Sequence, residues 1–173
     1  KGIFPQNNYE PAKRDELLSL LKRSFDNGFL EIENRFDFNK NGLVVLKSNS
    51  FLVDQVIRVL FEVATTLAYP RGNPSTAEKI SLVAVGGYGR EELAPYSDID
   101  IMFLHPYKKT PYIEQVVEFL LYFLWDLGLK VGHSTRSIND CIRLSKNDLI
   151  IQTSLLDSRW LWGYQKPYLD FVK

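Results

Sequence analysis

Cysteine is almost missing from this chain: Cys141 is the single one in 173 residues. One thiol cannot close an internal disulfide, so nothing points to a secreted, disulfide-stapled domain. Cys141 lies between Asp140 and Ile142 in a helical-looking segment, without a His/Asn partner pattern, and reads as a small buried core thiol. An excess of one charge is missing too. Lysine plus arginine number 21, as do aspartate plus glutamate. A domain that grips a long nucleic acid carries a basic excess, so the balance argues against nucleic acid and for a protein or small molecule as partner. Long apolar runs are also missing. The most apolar stretch, Phe119 to Trp125, ends at Glu118 and Asp126, far short of the roughly 20 residues of a membrane span. The opening residues, Lys1 to Asn8, show no leader with an apolar run and a small-residue cleavage site. The expectation is a cytoplasmic domain off the membrane. With no initiating methionine and an ordinary polar-aromatic end, it is expected to be a piece of a longer protein.

What is present fits one domain with a real core: 45% hydrophobic and 24% charged residues. Leu17, Leu18, Leu21 and Phe25 recur at helical spacing, predicting a helix from about Asp15 to Phe29 with a stop at Asn27-Gly28. Leu52, Val56, Val59, Leu60 and Val63 predict a second from about Phe51 to Ala68. Both read as scaffold without chemistry. Tyr69 to Pro74 is a breaker cluster, which divides the chain into an N-terminal helical segment (1–75) and a core (76–173). In that core Ser81 to Val85 reads as a buried strand ended by Gly86-Gly87, and a short helix is expected through Glu91 to Leu93. Ser97 to Leu104 reads as a second strand and Leu129 to Arg136 as a weaker third. Thr110-Pro111 caps a strong helix over Ile113 to Leu127, stopped by Gly128. Ser137 caps a helix over Ile138 to Leu144, and a last helix is expected from Asp148 to about Leu161. The tryptophans Trp125, Trp160 and Trp162 fall in these helical patterns and read as core. The fold class is α+β: a small mixed sheet packed with helices, plus the N-terminal helical segment.

The chemistry concentrates between Gly86 and Asp100. Residues two apart on a strand share a face, so Asp98 and Asp100 project together while Ile99, Ile101 and Phe103 point the other way. Adjacent carboxylates repel unless something positive lies between them. Magnesium takes oxygen ligands and is typically held by one or two carboxylates plus substrate phosphates. The pair therefore suits a metal clamp for phosphoryl-type transfer. Gly86-Gly87 lets backbone N–H groups approach a phosphate closely. Arg90 offers a forked donor, and Ser97 a hydroxyl.

A strand, Gly-Gly, a short spacer and Ser-Asp-x-Asp on the next strand resemble the nucleotidyltransferase superfamily, which includes DNA polymerase beta and the aminoglycoside nucleotidyltransferases. The longer run Gly87-Tyr88-Gly89-Arg90-Glu91-Glu92-Leu93-Ala94-Pro95-Tyr96-Ser97-Asp98-Ile99-Asp100 is similar to the bacterial PII uridylyltransferase family. So are Gly128 to Arg136 and the stretch from Asp148-Leu149 to Thr153–Arg159. The resemblance covers roughly residues 80 to 163. It implies a sheet of the nucleotidyltransferase type and transfer of uridylyl from UTP to a tyrosine of the PII signalling protein, with magnesium required and pyrophosphate released. In full-length members an HD domain removes the group and ACT domains sense glutamine. This chain has no His-Asp dipeptide and no room for either, so glutamine regulation is expected only through domains absent here.

On this reading Asp98 and Asp100 are catalytic and hold Mg2+, while Gly86, Gly87, Arg90 and Ser97 meet phosphates. The superfamily usually supplies a third acid from a neighbouring strand. The strand over Lys130 to Arg136 has no carboxylate, which leaves His133 and Asp157 as candidates for that role and Arg136 as a phosphate contact. Asp157 has the alternative of pairing locally with Arg159, and His133 of a structural role. Because an Asp pair reads phosphates and not bases, two rivals stay open: protein adenylylation by the same chemistry, and a catalytically silent nucleotide-binding regulatory module.

Overall fold

A computed structural model describes residues 11–173; Lys1 to Asn8, read above for a leader, lie outside them. Two long antiparallel helices come first, α1 (Pro11–Asn39) and α2 (Gly42–Val63). Gly28 does not stop α1 as expected. A Cβ there would press on Leu52 of α2, so the glycine serves a close helix–helix approach, and packing carries the helix through it. The break comes at Lys40, whose φ of 51° turns the chain. Asn41 then caps α2, its side chain accepting from the N–H groups of Leu43 and Val44. The second helix thus starts well before the expected Phe51, and it runs on through a π-helical turn, Ala64–Ala68.

The remaining elements are β1 (Ser81–Ala84), α3 (Gly86–Gly89), β2 (Ile99–His105), α4 (Pro111–Asp126), β3 (Val131–Ser137), α5 (Ile138–Ser145), α6 (Leu149–Leu156), β4 (Arg159–Gly163) and α7 (Gln165–Phe171). Thr110 and Pro111 open α4 as read, and Gly128, at φ 81°, follows its end. Ser137 and Asp140 form a capping box on α5. The short helix expected over Glu91 to Leu93 sits earlier, as α3. The helix expected to reach Leu161 is corrected: α6 ends at Leu156, and Trp160 and Trp162 lie on β4. Pairing with β1, with a bulge at Leu82/Val83, overrides the apolar run that mimicked a helix.

The four strands lie in the order β3-β2-β1-β4. Both neighbours of β1 are antiparallel to it, and β2 runs parallel to β3, so α4 is the crossover. Alternation assigns the two faces. Leu82, Ala84, Ile99, Ile101 and Phe103 pack with Ile57 and Leu60 of α2 and Ile113, Val116 and Leu120 of α4. Val83, Met102 and Leu104 turn the other way, toward Cys141, Leu155 and Tyr168. Burial pushes the Cys141 thiol up to about 11, as suits an inert core residue. The N-terminal helices therefore share one core with the sheet. Leu60 is fully buried in it. Leu60→Ala is expected to cost about 2–5 kcal/mol in denaturant unfolding, in a single transition that also melts the sheet.

Candidate active site

Asp100 is the second residue of β2, and Asp98 stands just ahead of the strand. Ile99 between them is buried while both aspartates are exposed, so the alternation read from sequence puts the two carboxylates on one side. Among the described residues, neither carboxylate has a hydrogen-bond or ion-pair partner. Partial burial, and then the charge of Asp98, push the Asp100 carboxyl above its ordinary value.

Two glycines make room for Asp100. Gly86, at φ 60°, lies over it: a Cβ there would stand 3.7 Å from Oδ2. Gly132 is its register partner on β3. A Cβ on Gly132 would overlap Oδ1 and stand 3.6 Å from Cγ. Backbone holds the site as well: the Val85 N–H donates to the Asp100 carbonyl at 3.1 Å. Beside the carboxylate opens a cleft of about 360 Å³, lined among others by Asp100, Gly132, Ser134, Arg136 and Ser154. Asp100 is the one carboxylate among its lining residues. Arg136 has no carboxylate within ion-pair distance among the described residues, so its guanidinium is left for an anion. A larger hollow of about 570 Å³ lies beyond Ser97, between α1, α2 and Leu129-Lys130; neither Asp100 nor Arg136 borders it.

The other sequence candidates are placed less directly. Val131 packs on the α4 side, so alternation puts His133 on that side too. Its ring stands 6.3 Å from Trp125 of α4, on the face opposite Asp100, although the residue also borders the cleft at Asp100. Asp157 ends α6 and is ion-paired with Arg90 at 2.5 Å, and Arg90 also meets Glu92 at 2.9 Å. Both are thus committed to each other, and Asp157 does not take up the local pairing with Arg159. The Ser97 hydroxyl donates to the Ala94 carbonyl at 2.8 Å and borders the larger hollow.

What the sequence reading missed is α2. The Asn49 amide donates to the carbonyls of Leu93 (3.0 Å) and Ala94 (3.3 Å), and the Ser50 hydroxyl accepts from the Leu93 N–H (3.1 Å). These bonds fix the loop that delivers Asp98. Asp54 receives the Tyr88 hydroxyl (2.5 Å) and the Arg159 guanidinium (2.7 and 3.2 Å). The one available sign was polar residues on an otherwise apolar helix stripe: Asn49, Ser50 and Asp54 share helical spacing with Val53 and Ile57.

The donor set suits a hard divalent cation. Two unpartnered carboxylates repel each other, Asp100 borders a cleft that also offers an arginine, and oxygen ligands from phosphate and water would complete the shell. No group of three or more metal-binding side chains occurs among the described residues, which leaves those remaining positions to substrate.

The comparisons agree with this geometry. Residues 73–156 match the family model described as nucleotidyltransferase domain. The chain carries a nucleotidyltransferase domain. It is 51% identical over 157 residues to the bifunctional uridylyltransferase/uridylyl-removing enzyme of Rhodospirillum rubrum, and 50% identical over 155 residues to that of Azospirillum brasilense, in each case over 90% of the chain. It spans 17% of the length of each of these relatives. The matched region of the nucleotidyltransferase domain ends at Leu156, so it takes in Asp98, Asp100, Gly132 and Arg136 and stops before Asp157 and Arg159. No helix among the described residues is long and apolar enough to cross a membrane.

Two outcomes follow for the domain. Gly132→Ala must displace the Asp100 carboxylate, and steady-state assays should show transfer reduced on the order of 100-fold, with an unchanged circular dichroism spectrum. The second concerns stability. Because Asp100 titrates higher in the fold than in the unfolded chain, ionising it costs stability, and that cost sets in as pH rises through the carboxylate range. Asp98→Asn removes the repelling charge, so thermal melting at neutral pH should rise for this variant while transfer is lost. Added Mg2+ should raise the melting temperature of the wild type and leave that of Asp98→Asn unchanged.

Proposed function

We propose that this domain transfers a uridylyl group from UTP to a tyrosine of the PII signalling protein, with magnesium, releasing pyrophosphate. The observation that carries the proposal is the uncompensated Asp98/Asp100 pair, of which Asp100 lies by the Gly86 turn and borders a cleft lined by Arg136. The relatives' printed name supports uridylyl as the group transferred.

In this reaction the tyrosine oxygen bonds to the α-phosphorus of UTP as the bond from that phosphorus to the bridging oxygen breaks. Pyrophosphate carries away the electron pair of the broken bond, and the phenol proton passes to solvent. Magnesium, when bound, supplies neutralisation of the triphosphate and of the leaving pyrophosphate. Asp98 and Asp100 are the residues that would hold it. The backbone of Gly86 and Gly87 lets phosphate oxygens approach closely, and Arg136 offers a forked guanidinium to an oxygen on the same side of the sheet. Arg90 contributes by fixing the turn to Asp157. Ser97 ties the approach of Asp98 to Ala94. Asp157, paired with Arg90, acts through structure, as does His133, whose ring lies against Trp125 although the residue borders the cleft.

The test mixes the chain with PII protein, labelled UTP and magnesium and follows label on PII. Asp98→Asn and Asp100→Asn are each expected to lower transfer on the order of 1,000-fold or more while circular dichroism stays that of the wild type. An active double variant would remove these residues from the mechanism.

A second reading has one specific observation behind it. Asp100 is the one carboxylate lining the cleft, as suits a module that binds nucleotide without transferring it. Calorimetry with UTP, ATP, CTP and GTP beside the transfer assay separates the cases. Tight UTP binding without label on PII indicates the silent module, and ATP preferred over UTP indicates adenylylation.

A further inference from the structure

We infer that Asp54, Tyr88 and Arg159 form a positioning clamp, which holds the Gly86–Gly89 turn at a fixed height over Asp98 and Asp100 and thereby sets the affinity for the triphosphate. The inference rests on the nucleotidyl-transfer reading above. None of the three residues lines the cleft at Asp100, so they are positioning residues and not catalytic ones.

Apart from an ion pair of Arg159 with Glu91 at 3.8 Å, the polar groups of the clamp are spent on the turn or on another member. Arg159 gives two guanidinium nitrogens to Asp54, at 2.7 and 3.2 Å. It also donates from Nε to the Gly89 carbonyl and from Nη2 to the Tyr88 carbonyl, both at 3.3 Å. The Tyr88 hydroxyl returns to Asp54 at 2.5 Å. The turn is thus gripped at once by a side chain and by its own carbonyls. Its guanidinium also lies 5.4 Å from the centre of the Tyr88 ring. Tyr88 is 1% exposed, and burial, then the Asp54 charge, push its phenol well above the ordinary value. The hydroxyl therefore stays a donor.

The turn has no room to slide. Gly89 is packed against the Asp157 carbonyl so closely that a Cβ would overlap it. The other end of the same turn, Gly86, stands over Asp100 in van der Waals reach. A four-residue helical turn moves as a unit, so a shift at Gly89 is felt at Gly86. An ion pair serving only to join α2 to β4 would not need the two carbonyl contacts or the Tyr88 hydroxyl.

If the clamp sets only the turn, it acts on the bound triphosphate alike in the ground and transition states. Affinity should then fall with little change in the rate of the bound complex. The experiment uses the full chain and measures magnesium-dependent binding of UTP and of ATP by calorimetry, kcat at saturating nucleotide, and thermal melting. Asp54→Asn and Arg159→Lys keep size and are expected to weaken the preferred triphosphate by about tenfold, with kcat within about twofold. Tyr88→Phe should give a smaller loss, and the Asp54→Asn/Arg159→Lys double variant no more than the worse single change. Asn41→Ala, which weakens the far end of α2, controls for stability: it should lower melting and leave triphosphate affinity intact. Unchanged affinity in the first two variants overturns the clamp, as does an affinity loss in Asn41→Ala that follows melting in the same way. A wild type that binds ATP and not UTP overturns the uridylyl reading while the variants still decide the clamp.

Discussion

Two negative charges placed side by side with nothing to neutralise them are the constraint on which this structure turns. Asp98 and Asp100 repel, and partial burial together with that repulsion pushes Asp100 up. A fold that kept such a pair without use would gain by replacing either residue. The surroundings instead keep the pair open. Glycine on one strand makes space for the carboxylate, glycine on a turn covers it, and the nearest arginine on that face stands apart from it. Stability given up at one strand end is recovered in the core, where α2, α4 and the sheet bury a continuous apolar layer.

The machinery around the pair is layered. Asn49 and Ser50 hold the loop that leads into Asp98, and Asp54 with Arg159 holds the turn that covers Asp100. Both supports come from a helix outside the matched region of the nucleotidyltransferase domain. The helical N-terminal segment is thus part of the site's foundation as well as of its core. Arg90 and Asp157 add a third tie, from the turn to α6.

Much of this was legible in the chain. The period-two alternation around Ile99 agrees with its burial between two exposed aspartates, because one buried face imposes it. The caps at Thr110 and Ser137 were legible too, since each is a local hydrogen bond to the next turn. What could not be read depends on distant partners. Gly28 looks like a helix stop until Leu52 is brought against it. Trp160 and Trp162 look helical until β1 offers a ladder. His133 stood as a candidate base because its strand has no carboxylate, and its ring contact with Trp125 of α4 has no local sign. Beyond being polar on an apolar stripe, Asp54 carries no local signal of its role, as its partners lie 34 and 105 residues away.

That last separation has a consequence for how the protein comes into being on the ribosome. β4 joins β1 in the sheet, and Arg159 reaches back across most of the chain to Asp54. Contacts so remote in sequence form slowly, because a long loop must close before any of them repays its entropy. A nascent chain that has emerged only as far as α6 already holds both aspartates and the glycine turn but has β1 with one open edge. Until the strand carrying Arg159 arrives, that edge is a surface on which another chain can pair, so synthesis of β4 both brings Arg159 to Asp54 and covers the open edge of β1.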